Sequence, residues 1–281
     1  MNSISVITNT AVERFLNDGF VLIKAAERAH VGLRAAFSAG LAFFRSSLED
    51  KMRSRLPKDT GYRPLRGEYS RSALHPDEVE SFTTSYKVRN VKTDLLCDSA
   101  RTLNNRMLAL FDILEPIAED LTISVADKLG VALRNQVLRG AFHLTSLLQL
   151  NYSRPFETKA EYINELHEDG CLLTITSVTG PGLEFKIDSE SFLPVTPQSD
   201  ELILMPGEIL WLLSGGAVKP IYHRVRPVAA YRERMSLLFF ADPHPKYCQP
   251  WIVNETNRNV NIGERILKNP TRYGLAEWSL E

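Results

Sequence analysis

The feature that most constrains the fold is a change of hydrophobic period near Thr145. Before it, apolar residues recur at helical spacing. Arg28 to Phe44 carries Val31, Ala35, Ala39 and Phe43 at steps of four, which predicts one buried helical face. A longer helix is expected from an N-cap at Asp98 to Gly130. Leu103, Met107, Leu110, Leu114, Ala118, Leu121 and Val125 form its stripe, with a kink or break at Pro116. Ala11 to Asn17 reads as a short helix and Gly19 to Ile23 as a strand. Lys58 to Arg71, with Gly61, Pro64 and Gly67, reads as loop.

After Thr145 the period is two. Leu148, Leu150 and Tyr152 alternate with Gln149 and Asn151. Short apolar runs follow between turn residues: Leu172 to Val178, Leu183 to Ile187, Glu201 to Met205, Ile209 to Leu213 and Met235 to Phe240. Short strands behind a helical half predict a mainly β fold with α. The expected arrangement is one domain over 1–281, with helices in 1–130 supporting a sandwich or jelly roll over 145–243.

Composition narrows the function classes. The formal net charge is −1, so no basic footprint points to nucleic acid. The longest apolar stretch, Leu202 to Val218, is broken by Pro206, Gly207, Glu208 and Ser214, so no membrane span is expected. The first residues lack a secretory pattern. Cys97, Cys171 and Cys248 are too scattered for a disulfide framework or thiolate metal site. These features fit a cytoplasmic setting and a small-molecule partner.

The chemistry concentrates in the β half. His167 and Asp169 stand two apart at the head of a strand-like run, a spacing that turns both to one face. His223 follows much later in a second strand-like context. Two imidazoles and one carboxylate hold one face of an octahedral metal, the ligand set of non-heme Fe(II) oxygenases. His167 and Asp169 alone are a common triplet, and a lone histidine is usually structural. The distant His223 and the triplet Arg234-Met235-Ser236 make the set specific. Arg234 and Ser236 share a strand face. A guanidinium beside a hydroxyl suits a carboxylate, and an Arg in a core strand needs an anion. His30, His75, His143 and His244 lack such context.

On these residues the sequence resembles the isopenicillin N synthase-like family of Fe(II)/2-oxoglutarate-dependent oxygenases, from about Phe15 to Pro243. Further similarity lies in Asp18-Gly19-Phe20-Val21-Leu22-Ile23, in Thr60-Gly61-Tyr62-Arg63-Pro64 with Gly67-Glu68-Tyr69-Ser70, and in Asp77 to Phe82. Leu150-Asn151-Tyr152-Ser153-Arg154-Pro155 resembles the family's Asn-Tyr-Tyr-Pro strand. Met205-Pro206-Gly207-Glu208 and Ser214-Gly215-Gly216 lead into the distal His as family members do. Two positions depart: Ser153 stands where a Tyr is frequent, and Gly207-Glu208 replaces the usual Gly-Asp.

The resemblance implies a double-stranded β-helix (jelly roll) with Fe(II) on His167, Asp169 and His223. It implies 2-oxoglutarate and O₂ as cosubstrates, the far carboxylate being held by Arg234 and Ser236, with Asn151 and Ser153 near the iron-binding end. Asp169 argues against halogenation. The implied reaction is hydroxylation of a small metabolite in specialised metabolism, with desaturation or cyclisation as other outcomes. The Ser153 departure leaves open a 2-oxoglutarate-independent Fe(II) oxidase of the same family, and a non-catalytic jelly-roll binding protein is the rival of another class. The resemblance places the pre-barrel loop and the 244–281 segment beside the pocket. Tyr62, Arg63, Arg66, Tyr69, Phe82, Arg154, Phe240 and the Tyr247 to Trp251 region are the substrate candidates. For each Arg the plainer reading is a solvated surface charge, and for each aromatic a core residue.

Overall fold

The alternation after Thr145 does build two facing sheets. The computed structural model describes residues 7–56, 60–86, 96–131, 142–245 and 248–268. In chain order these form α1 (Asn9–Asp18), β1 (Val21–Lys24), α2 (Glu27–Phe44), α3 (Leu48–Arg53), β2 (Gly61–Arg63), β3 (Glu80–Thr84) and α4 (Asp98–Lys128). Then come β4 (Leu147–Ser153), β5 (Asn164–His167), β6 (Leu173–Val178), β7 (Leu183–Lys186), β8 (Phe192–Pro194), β9 (Glu201–Pro206), α5 (Glu208–Leu213), β10 (His223–Val225), β11 (Arg234–Ala241) and α6 (Ile262–Lys268). A seven-stranded sheet has the order β1-β9-β6-β11-β4-β3-β2, and a four-stranded sheet the order β5-β10-β7-β8. All pairings are antiparallel. The fold is the mainly β jelly roll with helical support.

The two faces of the large sheet have different partners. Leu148, Leu150, Leu204, Leu237 and Phe239 join Leu33, Phe43, Leu103, Met107 and Phe111 in one buried core under α2 and α4. Phe111 meets Phe239 edge-on at 4.9 Å between ring centres. Gly40 lets α2 come close, since a Cβ there would stand 2.3 Å from Leu150 Cδ2. The other face looks into the jelly roll, where Ile203 and Met205 pack with Ile163, Leu183, Phe185, Ile221 and Val225.

Several expectations change. The buried positions of α2 are Ala29, Leu33, Ala36, Gly40, Phe43 and Phe44, while Val31 is 54% exposed, so the face is rotated from the expected one. Helix α4 runs unbroken through Pro116, its apolar stripe being buried on both sides of that residue. Cys97, not Asp98, is its N-cap. Ile209 to Leu213 is helical, not a strand; a five-residue apolar run does not distinguish the two by period. Within the expected loops lie β2 and β3, which with β1 extend the large sheet.

One buried ion pair braces the helical layer. Lys51 Nζ lies 2.5 Å from Glu80 Oε2, with side chains 8% and 10% exposed. The Tyr62 hydroxyl donates to the same oxygen at 2.7 Å. Removing one partner strands a buried charge. Lys51→Met is therefore expected to destabilise the fold by about 3–5 kcal/mol. Lys51→Met with Glu80→Gln should recover much of that, as read from urea unfolding followed by circular dichroism.

Candidate metal centre

The small sheet brings the two histidines together. Strands β5 and β10 pair so that His167 and His223 are direct partners across the ladder. Their ring centres are 4.4 Å apart. β5 ends at His167, so Asp169 is not on the same strand, as its i, i+2 spacing had suggested. It sits in the turn by which the chain leaves the small sheet for β6 in the large one. Asp169 Oδ1 lies 3.8 Å from His167 Nε2 and 3.9 Å from His223 Nε2. One ligand atom from each residue lies within 4.8 Å of the others, and no other such group of three occurs among the described residues.

The surroundings aim these atoms. His167 Nδ1 is 2.7 Å from the Glu165 carbonyl, and His223 Nδ1 is 3.3 Å from the Ile221 carbonyl. A carbonyl only accepts, so each Nδ1 carries the proton and each Nε2 lone pair faces the carboxylate. Burial, and then the neighbouring His167, push His223 down to about 4, against the opposing pull of Asp169. His223 is thus neutral near pH 7, the form that binds metal. The Thr174 hydroxyl, from β6, donates to Asp169 Oδ2 at 2.5 Å and leaves Oδ1 to the centre. Two imidazoles, each with Nδ1 against a carbonyl, and a carboxylate on one side of a point fit a divalent first-row metal.

A second arrangement lies on the inward face of the large sheet. Arg234 is 3% exposed. Its Nε donates to the Pro181 carbonyl at 2.9 Å and Nη1 to Ser236 Oγ at 2.5 Å. Nη2 is buried without a hydrogen-bond partner. No carboxylate pairs with it among the described residues, and burial pulls its pKa down to about 10. A buried guanidinium with an unused donor calls for an anion. Asn151 pairs with Ser236 across β4 and β11 and is half-buried. The Ser153 hydroxyl donates to the Arg234 backbone carbonyl at 3.3 Å.

Strand parity sorts the substrate candidates. Arg63, Ser81, Asn151 and Ser236 form one row across β2, β3, β4 and β11. Arg63 thus shares the inward face. Tyr62, Phe82, Leu150 and Leu237 form the next row, on the opposite face. The structure therefore removes Tyr62 and Phe82 from the site: Tyr62 bonds Glu80, and Phe82 packs against Phe43 at 5.1 Å under α2. Arg154 is removed too. Its Nε donates to the Tyr152 hydroxyl at 3.3 Å, and Tyr152 stacks on Phe44 of α2. Arg66 is 2.8 Å from Glu78 with a side chain 60% exposed, and Tyr69 is 54% exposed. Phe240 is half-buried on the inward face, opposite Thr174. Tyr247 lies outside the described residues. Sequence reading missed Thr174, although the period of two already turned Thr174 and Thr176 to one face. It also passed over Gln149, whose polar position in an alternating strand was the available signal.

Residues 144–243 match the model of the 2OG-Fe(II) oxygenase superfamily. The chain is 25% identical over 248 residues to the 2-oxoglutarate-dependent dioxygenase gloE of Glarea lozoyensis, covering 83% of this chain and 73% of that protein. It is 27% identical over 138 residues to Gibberellin 2-beta-dioxygenase 2 of Arabidopsis thaliana, covering 47% of this chain but only 38% of that relative. A full-length Neurospora crassa protein crystallised with alpha-KG shares the fold at a TM-score of 0.73 and 17% identity, over 92% of this chain and 89% of that one. No helix among the described residues is long and apolar enough to cross a membrane.

Proposed function

We propose, on the premise that this jelly-roll core is that of the 2OG-Fe(II) oxygenase superfamily, a mononuclear Fe(II)/2-oxoglutarate-dependent dioxygenase that hydroxylates a small organic molecule. His167, Asp169 and His223 would hold the iron from one side. Arg234 and Ser236 would take the far carboxylate of 2-oxoglutarate, and Asn151 would lie at its other end. The observation that carries this reading is the buried, unpartnered Nη2 of Arg234 on the face that bears Asn151 and Ser236. Bound iron with 2-oxoglutarate and O₂ supplies the oxidising power that side chains lack. The protein's part is position and exclusion of water. Asp169 and Thr174 hold a carboxylate oxygen toward the metal position. Leu238 and Phe240 give the inward face of β11 an apolar stretch for substrate carbon, and Arg63 is the charged candidate beside it.

Small-molecule oxidation is supported by the name of one relative, a gibberellin dioxygenase, and a place in specialised metabolism is part of the proposal. A reduced, cytoplasmic setting suits three free cysteines and Fe(II). We read 1–281 as one oxygenase domain with its core at 145–243. Since Ser153 donates to a backbone carbonyl, it offers no proton to the cosubstrate, and Arg234, Ser236 and Asn151 carry that binding.

Anaerobic addition of 2-oxoglutarate to Fe(II)-loaded protein should produce a visible charge-transfer band. Bound iron with no band would favour the 2-oxoglutarate-independent oxidase. Succinate formation above the uncoupled rate, read across a panel of small molecules, then finds the substrate. Thr174→Val removes the hydroxyl that holds Asp169 and should weaken iron affinity by roughly 10- to 100-fold, as measured by competition with a chelator. Unchanged affinity would mean that Asp169 is aimed by its backbone alone.

A further inference from the structure

Between the sheets the jelly roll is apolar on the β9 side but polar where β2, β3 and β4 meet. There Glu68, from the loop after β2, receives three donors. Arg63 Nη1 lies 3.0 Å from Glu68 Oε1, the Ser81 hydroxyl donates to the same oxygen, and Gln149 Nε2 donates to Oε2 at 2.9 Å. The second proton of that Gln149 amide goes to Asn151 Oδ1 at 2.8 Å. Thr83 donates to Gln149 Oε1 at 3.1 Å. An amide oxygen and nitrogen are told apart by their partners, and here the chain of partners has one consistent direction. The carboxylate paired with Arg63 only accepts, so Gln149 must turn its NH₂ to it. That NH₂ also faces Asn151, so Asn151 must answer with its oxygen. Its own NH₂, bonded to none of the described residues, is left to the half-exposed inward face beside Ser236.

We propose that Glu68 and Gln149 are positioning residues that set the direction of the Asn151 amide, so that it presents a donor, not an acceptor, to a carboxylate of 2-oxoglutarate. The inference rests on the function proposed above. A freely turning amide would meet the anion with its oxygen in part of its orientations. An ion pair at the far end of the relay removes that choice before the ligand arrives. Asn151 NH₂, the Ser236 hydroxyl and Arg234 Nη2 then form a run of donors on adjacent strands.

The test exchanges the two residues. Glu68→Gln with Gln149→Glu keeps the net charge and nearly the same atoms, but reverses the relay. The carboxylate at 149 now accepts from both neighbours, and Asn151 must turn its oxygen to the ligand. Calorimetry of 2-oxoglutarate binding to anaerobic Fe(II)-loaded protein should show affinity weakened by roughly 10- to 100-fold, with iron affinity unchanged. In an Asn151→Ala background the same exchange should change affinity less than about twofold, because the relay acts only through that amide. If the exchange does not fold, Gln149→Leu leaves Asn151 undirected, and the expected loss is roughly 3- to 10-fold, again absent in the Asn151→Ala background. Full affinity in the exchanged protein or in Gln149→Leu, or an undiminished effect without Asn151, overturns the relay alone. Absence of 2-oxoglutarate binding by the unsubstituted protein overturns the proposed function and the relay with it.

Discussion

Arg234→Met should separate binding from stability, with opposite signs. In the folded protein this guanidinium is buried, has no carboxylate partner among the described residues, and keeps Nη2 unbonded. Such a group is a liability to the free protein and an asset only when an anion arrives. Removing it should weaken 2-oxoglutarate binding by about 2–5 kcal/mol, the range for one member of a buried charge pair. Without ligand, the thermal midpoint should stay or rise, because a hydrophobic side chain of similar volume replaces an uncompensated charge. Calorimetry and thermal unfolding of the same preparation read the two effects. A variant that binds 2-oxoglutarate normally but unfolds earlier would instead make Arg234 a brace between β11 and Pro181.

Asp169→Ala is expected to abolish tight iron binding and to lower turnover by roughly a thousandfold or more, equivalent to about 4 kcal/mol or more of lost stabilisation. The carboxylate is the only negative group in the trio proposed to hold the iron. It is also the one held from the other sheet, through Thr174. Its loss leaves two imidazoles on β5 and β10 with no charge to balance a dication. Iron content after anaerobic loading, together with the charge-transfer band, measures the outcome. Retained iron and retained turnover would show that the two histidines suffice, and would remove Asp169 from the proposed ligand set.

The parts of the fold legible in the sequence were those set by local period. Leu148, Leu150 and Tyr152 alternate with polar neighbours, and β4 is a strand with those residues buried. Arg234 and Ser236 are two apart, and the guanidinium does reach the neighbouring hydroxyl. Where period is ambiguous, reading failed. Ile209 to Leu213 is apolar in a row and became helix α5, because five consecutive apolar residues satisfy either geometry. Tyr62 and Phe82 were candidates for the site by their position in the pre-barrel loop, but they lie on β2 and β3 facing the helices. A shift of one residue in parity exchanges core for cavity.

The sequence by itself therefore determined which residue types were available, a His and an Asp two apart and a later His among them, and that Arg234 and Ser236 share a strand face, as do Asn151 and its alternating neighbours. Those are local properties, decided by the geometry of a few bonds. Only the tertiary structure decided which faces meet. It placed His223 opposite His167 through strand pairing and carried Asp169 to them by a turn that the two-residue spacing did not foresee. It turned Arg63 inward and Tyr62 outward, and it joined Glu68 through Gln149 to Asn151. Such contacts depend on register between strands far apart in the chain, and register is settled by the burial of whole faces at once.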